Sequence, residues 1–234
     1  MNASPPPLPF PRCYDKSRPT RITYRNLPHW EQDGVCAFVT IRLADSIPDS
    51  VRTTLDRKRE RWLKERGFDP TLPTAFLLDR MDLHTRRGFC RFNSSLLHRA
   101  LDKGHGDCVL RNRDLRWHVE DCLQFGNGDS YDLFAYVVMP NHAHLLIQPK
   151  TGERIKDHLS TIRRVSARRI NRDLGRQGDL WQCEPFDHLI RSRHWFQRYR
   201  DYLRLNPYRA RLRPEAYTHW EHPVLKLFGG VRRE

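Results

Sequence analysis

Tyr131-Asp132-Leu133-Phe134-Ala135-Tyr136-Val137-Val138-Met139-Pro140-Asn141-His142-Ala143-His144-Leu145-Leu146-Ile147 is the stretch around which the chain is organised. It is two apolar runs split by Pro140-Asn141, a pair that reads as a turn. The expected hairpin has one strand over 133–139 and a second over 143–148, with the histidines opening the second. Side chains alternate across a strand, so His142 and His144 share one face with their imidazoles close together. Neutral imidazole is the commonest nitrogen ligand of divalent metals. Two histidines beside a hairpin are also ordinary polar residues of a solvated face, so the metal reading needs a third ligand and a reactive group from elsewhere.

The last predicted helix offers both. It runs from Trp195 to about Leu205 and is stopped by Asn206-Pro207, since proline disfavours helical geometry in the residue before it. Tyr202 and Asn206 stand at i and i+4 and share a helix face. If that face packs across the strand of His142 and His144, two imidazoles and one amide oxygen meet beside a phenol. This mixed nitrogen and oxygen set suits Mg²⁺ or Mn²⁺ in phosphoryl chemistry better than a closed structural zinc site. A phenol has a pKa of about 10 and is a weak nucleophile at neutral pH. A cation on the scissile phosphate would offset the charge that repels it. Taken singly, Tyr202 reads as core or surface packing and Asn206 as a helix C-cap.

Composition sets the frame. The 234 residues carry a formal net charge of +14, with 38% hydrophobic and 30% charged residues. Such a balance favours polyanions, nucleic acid before an anionic membrane surface. Between Glu153 and Arg213 stand 16 Lys and Arg against 7 Asp and Glu, so the surplus is concentrated there. No run approaches the apolar length that crosses a bilayer, and the N-terminus lacks the apolar core of a secretory signal. A cytoplasmic location is the expectation. Cys13, Cys36, Cys90, Cys108, Cys122 and Cys183 form no C-x-x-C and are expected as reduced thiols.

The remaining elements follow in order. Residues 1–20 are Pro-rich and read as a flexible or loosely docked arm. Val35 to Leu43 reads as the first strand. A charged helix is expected over 50–66, capped by Asp49 or Ser50 and ended by Gly67. Residues 68–93 take no firm assignment. Helices are expected over 94–103 and 112–125, with His105 and His118 as turn and surface residues. The longest helix is expected over 153–174, where Arg163, Arg164, Arg168, Arg169 and Arg172 crowd around an apolar side. Residues 180–190 read as a compact aromatic connector.

The motifs together resemble a family. Val137-Val138-Met139-Pro140-Asn141-His142-Ala143-His144-Leu145-Leu146 looks like the metal-binding motif of HUH single-tyrosine transposases. Gly178-Asp179-Leu180-Trp181-Gln182, Phe186-Asp187-His188-Leu189-Ile190-Arg191 and Tyr202-Leu203-Arg204-Leu205-Asn206-Pro207 follow in that family's order. The set is most similar to the REP-associated tyrosine transposases, over about residues 130–212. Arg25-Asn26-Leu27-Pro28-His29-Trp30 also looks like the start of some members.

The resemblance implies an α+β fold: an antiparallel sheet flanked by helices, ferredoxin-like, with a basic C-terminal helical part. One catalytic domain would span 21–212, with helical insertions over 44–130 and a tail over 213–234. It implies His142, His144 and Asn206 as ligands of Mg²⁺ or Mn²⁺ and Tyr202 as nucleophile. The substrate would be single-stranded DNA cut near a hairpin of REP-like type, leaving a 5′-phosphotyrosine and a free 3′-OH before rejoining. Arg163, Arg164, Arg168, Arg169, Arg172 and Arg198 would hold phosphates. Rival readings are a domesticated binder of hairpin DNA or RNA that does not cut, a metal-dependent phosphodiesterase using water, and, last, a membrane-surface protein.

Overall fold

The computed structural model describes residues 10–24 and 28–226. A short hairpin, β1 (Arg21–Tyr24) and β2 (Pro28–Glu31), precedes the first central strand, β3 (Ala37–Arg42). Four helices follow: α1 (Asp49–Lys64), α2 (Thr74–Arg80), α3 (Leu83–Leu101) and α4 (Arg113–Phe125). Then come β4 (Tyr131–Val138), β5 (His142–Pro149), α5 (Ile155–Asp173), β6 (Phe186–Leu189), α6 (Arg193–Arg209) and β7 (Thr218–Glu221).

The main sheet has the order β6-β3-β5-β4-β7, every neighbouring pair antiparallel. Its first four strands follow the split β-α-β arrangement of ferredoxin-like folds, and β7 adds an edge strand. The α+β expectation holds, as does the hairpin at its centre. Met139 N–H donates to the His142 carbonyl at 2.8 Å, closing the turn through Pro140-Asn141. β4 carries a bulge between Leu133 and Ala135, which brings Phe134, Ala135 and Val137 to the same side as Leu146.

Each face of the sheet has its own helices. Val39, Ile41, Leu145 and Ile147 pack with Leu115, Val119 and Leu123 of α4 and with Leu159, Ile162 and Ile170 of α5. Phe38, Phe134, Val137 and Leu146 pack with Phe196 and Leu203 of α6. α1 and α3 pair outside this core through Leu55, Leu96 and Ala100.

Several expectations are corrected. Of the two states expected for the Pro-rich arm, the docked one is found where it is described: Cys36 N–H donates to the Arg12 carbonyl at 2.9 Å and Tyr14 N–H to that of Ile190 at 2.7 Å. Its first nine residues, and Arg25-Asn26-Leu27 of the opening motif, lie outside the described residues. α3 begins at Leu83, eleven residues before the expected start. Asp82 caps it by accepting from His84 and Thr85 N–H. The connector over 180–190 contains β6, held to β3 by backbone bonds that its mixed composition did not advertise. β7 lies within the segment read as a tail and pairs with β4. His118 is buried, with Nε2 2.5 Å from the Asp173 carboxylate, where a surface residue was expected.

The last helix does not stop at Asn206-Pro207. α6 runs on to Arg209 with Ala210 as its C-cap. Proline costs the helix one hydrogen bond, but Asn206 and Pro207 are both buried, and Ala210 N–H donates to the Asn206 carbonyl at 3.0 Å. Tertiary packing outweighs the local preference.

Candidate active site

β5 stands between β3 and β4, so the paired histidines occupy the middle of the sheet. His144 lies opposite Thr40 on β3 and Val137 on β4. Both imidazoles are fully buried, with ring centroids 4.6 Å apart. His142 has one nitrogen engaged and His144 both. Asn141 donates through Nδ2 to the carbonyls of His105 at 3.0 Å and Leu101 at 3.4 Å. That pins its Oδ1 as the acceptor for His142 Nδ1–H at 2.7 Å, which leaves the His142 Nε2 lone pair free. His142 Nε2 has no partner among the described residues. Thr40 Oγ1 lies 2.8 Å from His144 Nδ1, and Tyr202 Oη lies 3.3 Å from His144 Nε2.

α6 brings the phenol there. Ser192 caps the helix by accepting from Trp195 N–H at 3.3 Å. Phe38 on β3 stacks on Tyr199 with centroids 4.3 Å apart. Glu221 on β7 accepts from Arg200 at 2.8 Å and from Arg204 at 2.6 Å, tying α6 to the edge of the sheet. Arg200 is buried, so the first of these pairs is shielded from solvent. Asn206 is fully buried one turn beyond Tyr202; Tyr202 and Asp102 stand close enough to its amide to act on it, but neither amide atom closes a hydrogen bond of good geometry among the described residues. Unpartnered buried polar atoms are uncommon and costly. His142 Nε2 and the Asn206 amide are two such sites on the same face.

Two further residues come from α3 and its C-cap. His98 lies 5.3 Å from His144 and 5.4 Å from Tyr202 between ring centroids. Asp102, one turn on, bears with its charge on Tyr202 and lies against the Asn206 amide. The sequence reading passed over both. Their i, i+4 spacing was visible, but nothing in it says which way α3 faces.

Electrostatics follow from burial. It holds His142 down to about 3, with His98 adding to the effect, and pushes His144 well below the usual range. His98 falls to about 4 for the same reason. All three stay neutral and keep lone pairs at neutral pH. Burial, and after it the charge of Asp102, pushes the Tyr202 phenol above its ordinary value. Burial also raises Asp102 to about 6.

This donor set fits the cation that the resemblance implies. Two neutral imidazoles and an amide oxygen would supply mixed nitrogen and oxygen ligation, and the free lone pair and the unpartnered amide are atoms that need a partner. Asn141 and Thr40 stand where the outer partners of metal-bound histidines stand. Among the described residues no three His, Cys, Asp or Glu side chains come together as a metal cluster, and the Asn206 amide is the further side-chain donor beside the two imidazoles.

The basic residues divide. α5 packs on the sheet face opposite α6, so its arginines are not beside Tyr202. Arg163 donates to the carbonyls of Gln182 at 2.9 Å and Cys183 at 2.6 Å, and Arg169 pairs with Asp121 at 2.5 Å. Arg164, Arg168 and Arg172 are exposed, the last beside Asp173. Arg198 is exposed on α6, its guanidinium 5.0 Å from the centre of the Trp195 ring. All six cysteines are free thiols, as expected. Among the described residues no helix is long and apolar enough to cross a membrane.

Comparison with known proteins places part of this arrangement. Residues 109–188 match the family model described as transposase, IS200-like. The resemblance to HUH transposases is thereby supported over the part of the chain that holds both histidines, and the match ends before α6 with Tyr202 and Asn206. A solved structure of a REP-associated tyrosine transposase bound to a REP hairpin is 15% identical to this chain. The match covers 80% of this chain and 72% of that one with a TM-score of 0.40. No curated protein matches the chain significantly.

Proposed function

We propose that the protein is a metal-dependent single-stranded DNA transposase or endonuclease with Tyr202 as nucleophile. The observation that carries this reading is the 3.3 Å approach of the Tyr202 hydroxyl to His144 Nε2. It joins a phenol from α6 to the paired histidines of β5, the segment that matches the transposase family. Tyr202 Oη gives up its proton and attacks the scissile phosphorus, the bond from phosphorus to the 3′ oxygen breaks, and that oxygen takes up a proton, leaving a 5′-phosphotyrosine and a free 3′-OH. Attack of a 3′-OH on the phosphotyrosine rejoins the strand and releases the phenol. Mg²⁺ or Mn²⁺, held by His142, His144 and Asn206, would supply charge neutralisation and orientation at the phosphate. With His144 Nε2 engaged as a ligand, Asp102 is the carboxylate whose charge reaches the phenol.

DNA hairpins of REP-like type are the substrate class that the resemblance favours. The exposed Arg164, Arg168 and Arg172 would contact phosphates away from the cleaved position, because α5 lies across the sheet. Arg198, on the helix of Tyr202, would contact them near it. A second reading, a hairpin-binding protein that does not cut, draws support from the half-buried phenol, whose pKa is raised.

Incubation with hairpin-bearing single-stranded DNA and Mg²⁺ or Mn²⁺ tests the proposal. A covalent protein–DNA adduct is expected on a denaturing gel. Binding without adduct in either metal would leave the non-cutting reading in its place.

A further inference from the structure

α1 and α3 enclose an open cleft of about 680 Å³ that takes no part in the site described above. Its floor is apolar: Leu55 and Leu96 are buried, and Trp62 and Phe92 stack with centroids 6.0 Å apart. Its rims are cationic. Lys58 and Arg61 stand on α1, and Arg99 and Lys103 on and just past α3, all exposed. None of these four forms an ion pair among the described residues, and Glu65 is the one acidic residue of the lining. Four uncompensated cations around an apolar floor form a concave polyanion site, and their exposure leaves them hydrated and available.

The cleft is tied to the histidine hairpin. Arg99 follows His98, which faces Tyr202, and Lys103 follows Asp102. His105, at one end of the lining, accepts through its carbonyl from Asn141 Nδ2, beside His142. A strand held here would therefore run alongside the helix that backs the phenol.

We propose that this cleft is a second nucleic-acid site, one that holds the single strand flanking the cleaved position. Cationic rims over an aromatic floor suit an unpaired strand, whose phosphates follow the cations while its bases turn to the apolar surface. A membrane surface would need a broad exposed apolar face in place of a concave cleft. An acidic peptide would match the rims but leave the aromatic floor unused. The proposal rests on nucleic acid being the substrate, and it assigns a role to the helical insertion.

The test uses the full chain and the fourfold variant Lys58→Gln/Arg61→Gln/Arg99→Gln/Lys103→Gln. Binding of a fluorescent thymidine 30-mer is measured against salt. Wild type should show a steep slope of log K on log salt, and the variant a slope shallower by about 0.7 for each phosphate it no longer holds. At low salt the affinity should fall at least about tenfold, with an unchanged circular dichroism spectrum. Should the fourfold variant be unstable, Lys58→Gln/Lys103→Gln carries the same test with half the change. Equal slopes would overturn the proposal. So would a polyglutamate of matched length that competes as well as the DNA does, since the site would then take acidic peptides. The two readings fail separately. A wild type that forms no adduct while the variant loses slope sinks strand cleavage and keeps the cleft; an adduct with unchanged slope does the reverse.

Discussion

The two faces of the sheet are built from the same strands and serve opposite ends. Towards α4 and α5, Val39, Ile41, Leu145 and Ile147 are aliphatic and closed. Towards α6 and α3, the same β3 and β5 present Phe38, Thr40, His142 and His144, and polar atoms of His142 and Asn206 are left unpartnered. One face is arranged for stability. The other accepts the desolvation of neutral imidazoles and an amide, a cost of about 1–3 kcal/mol for each unsatisfied group. Alternation along a strand permits both at once, since neighbouring residues never compete for the same side.

The contrast is broken most sharply at the phenol. Tyr202→Phe should lower adduct formation on the order of 10⁴-fold or more while single-strand affinity stays within about twofold. Adduct retained on a denaturing gel would remove Tyr202 as nucleophile.

The next test sets one face against the other. Leu145→Ala should cost about 2–5 kcal/mol in urea unfolding, as for other buried leucines. His142→Ala, on the opposite face of the same strand, should cost less, because it also removes an unpartnered buried nitrogen, yet it should abolish Mn²⁺-dependent cleavage. Equal stability losses would mean that the site face is packed like the other.

Asn141→Ala should weaken Mn²⁺ binding about 10–100-fold by calorimetry, since the amide that orients His142 is gone. Unchanged affinity would show that the imidazole is held by packing alone.

Acid should expose the same face. His98 and His188 are held to about 4 by burial, so below about 6.5 the unfolded chain binds protons that the folded chain does not. Stability should therefore fall as pH drops from about 6.5 towards 4, by at most about 1.4 kcal/mol per pH unit for each imidazole. His29 behaves oppositely. Its bond to Asp187 in particular, with Glu184 2.6 Å from its other nitrogen, raises it to about 9. Its contribution is complete below about 6.5 and is lost as pH rises through about 9. The variants His98→Asn and His29→Asn should flatten the acid and alkaline limbs of the melting profile respectively.

The smallest effect is expected on α5. Arg164→Ala/Arg168→Ala should lower the salt slope by about 0.7 for each phosphate released and leave adduct formation at saturating DNA unchanged. A loss of chemistry there would place the scissile phosphate nearer α5 than the fold suggests.

Much of the architecture was legible. The hairpin, β3, α1, α4 and α5 fall where alternation and helical spacing put them, and Asn112 caps α4 by accepting from Asp114 N–H at 2.9 Å. Neither Asp49 nor Ser50 caps α1 as expected: Asp49 is already its first helical residue, and Pro48 stands at the N-cap with no side-chain cap bond. β6 and β7 were not legible, since short edge strands owe their form to the partner they pair with. The Pro207 stop was misread because local propensity carries no knowledge of burial.

Within the site, His142 and His144 share a face by strand geometry alone, and Tyr202 and Asn206 by helix geometry alone. Those pairings were set by the residues themselves, because backbone periodicity is a local property. That the two pairs meet, that α3 adds His98 and Asp102 to them, and that the arginines of α5 lie across the sheet were decided by tertiary packing. The physical reason is that the side of a sheet on which a helix docks depends on apolar surfaces far apart in the chain, and no local spacing encodes it.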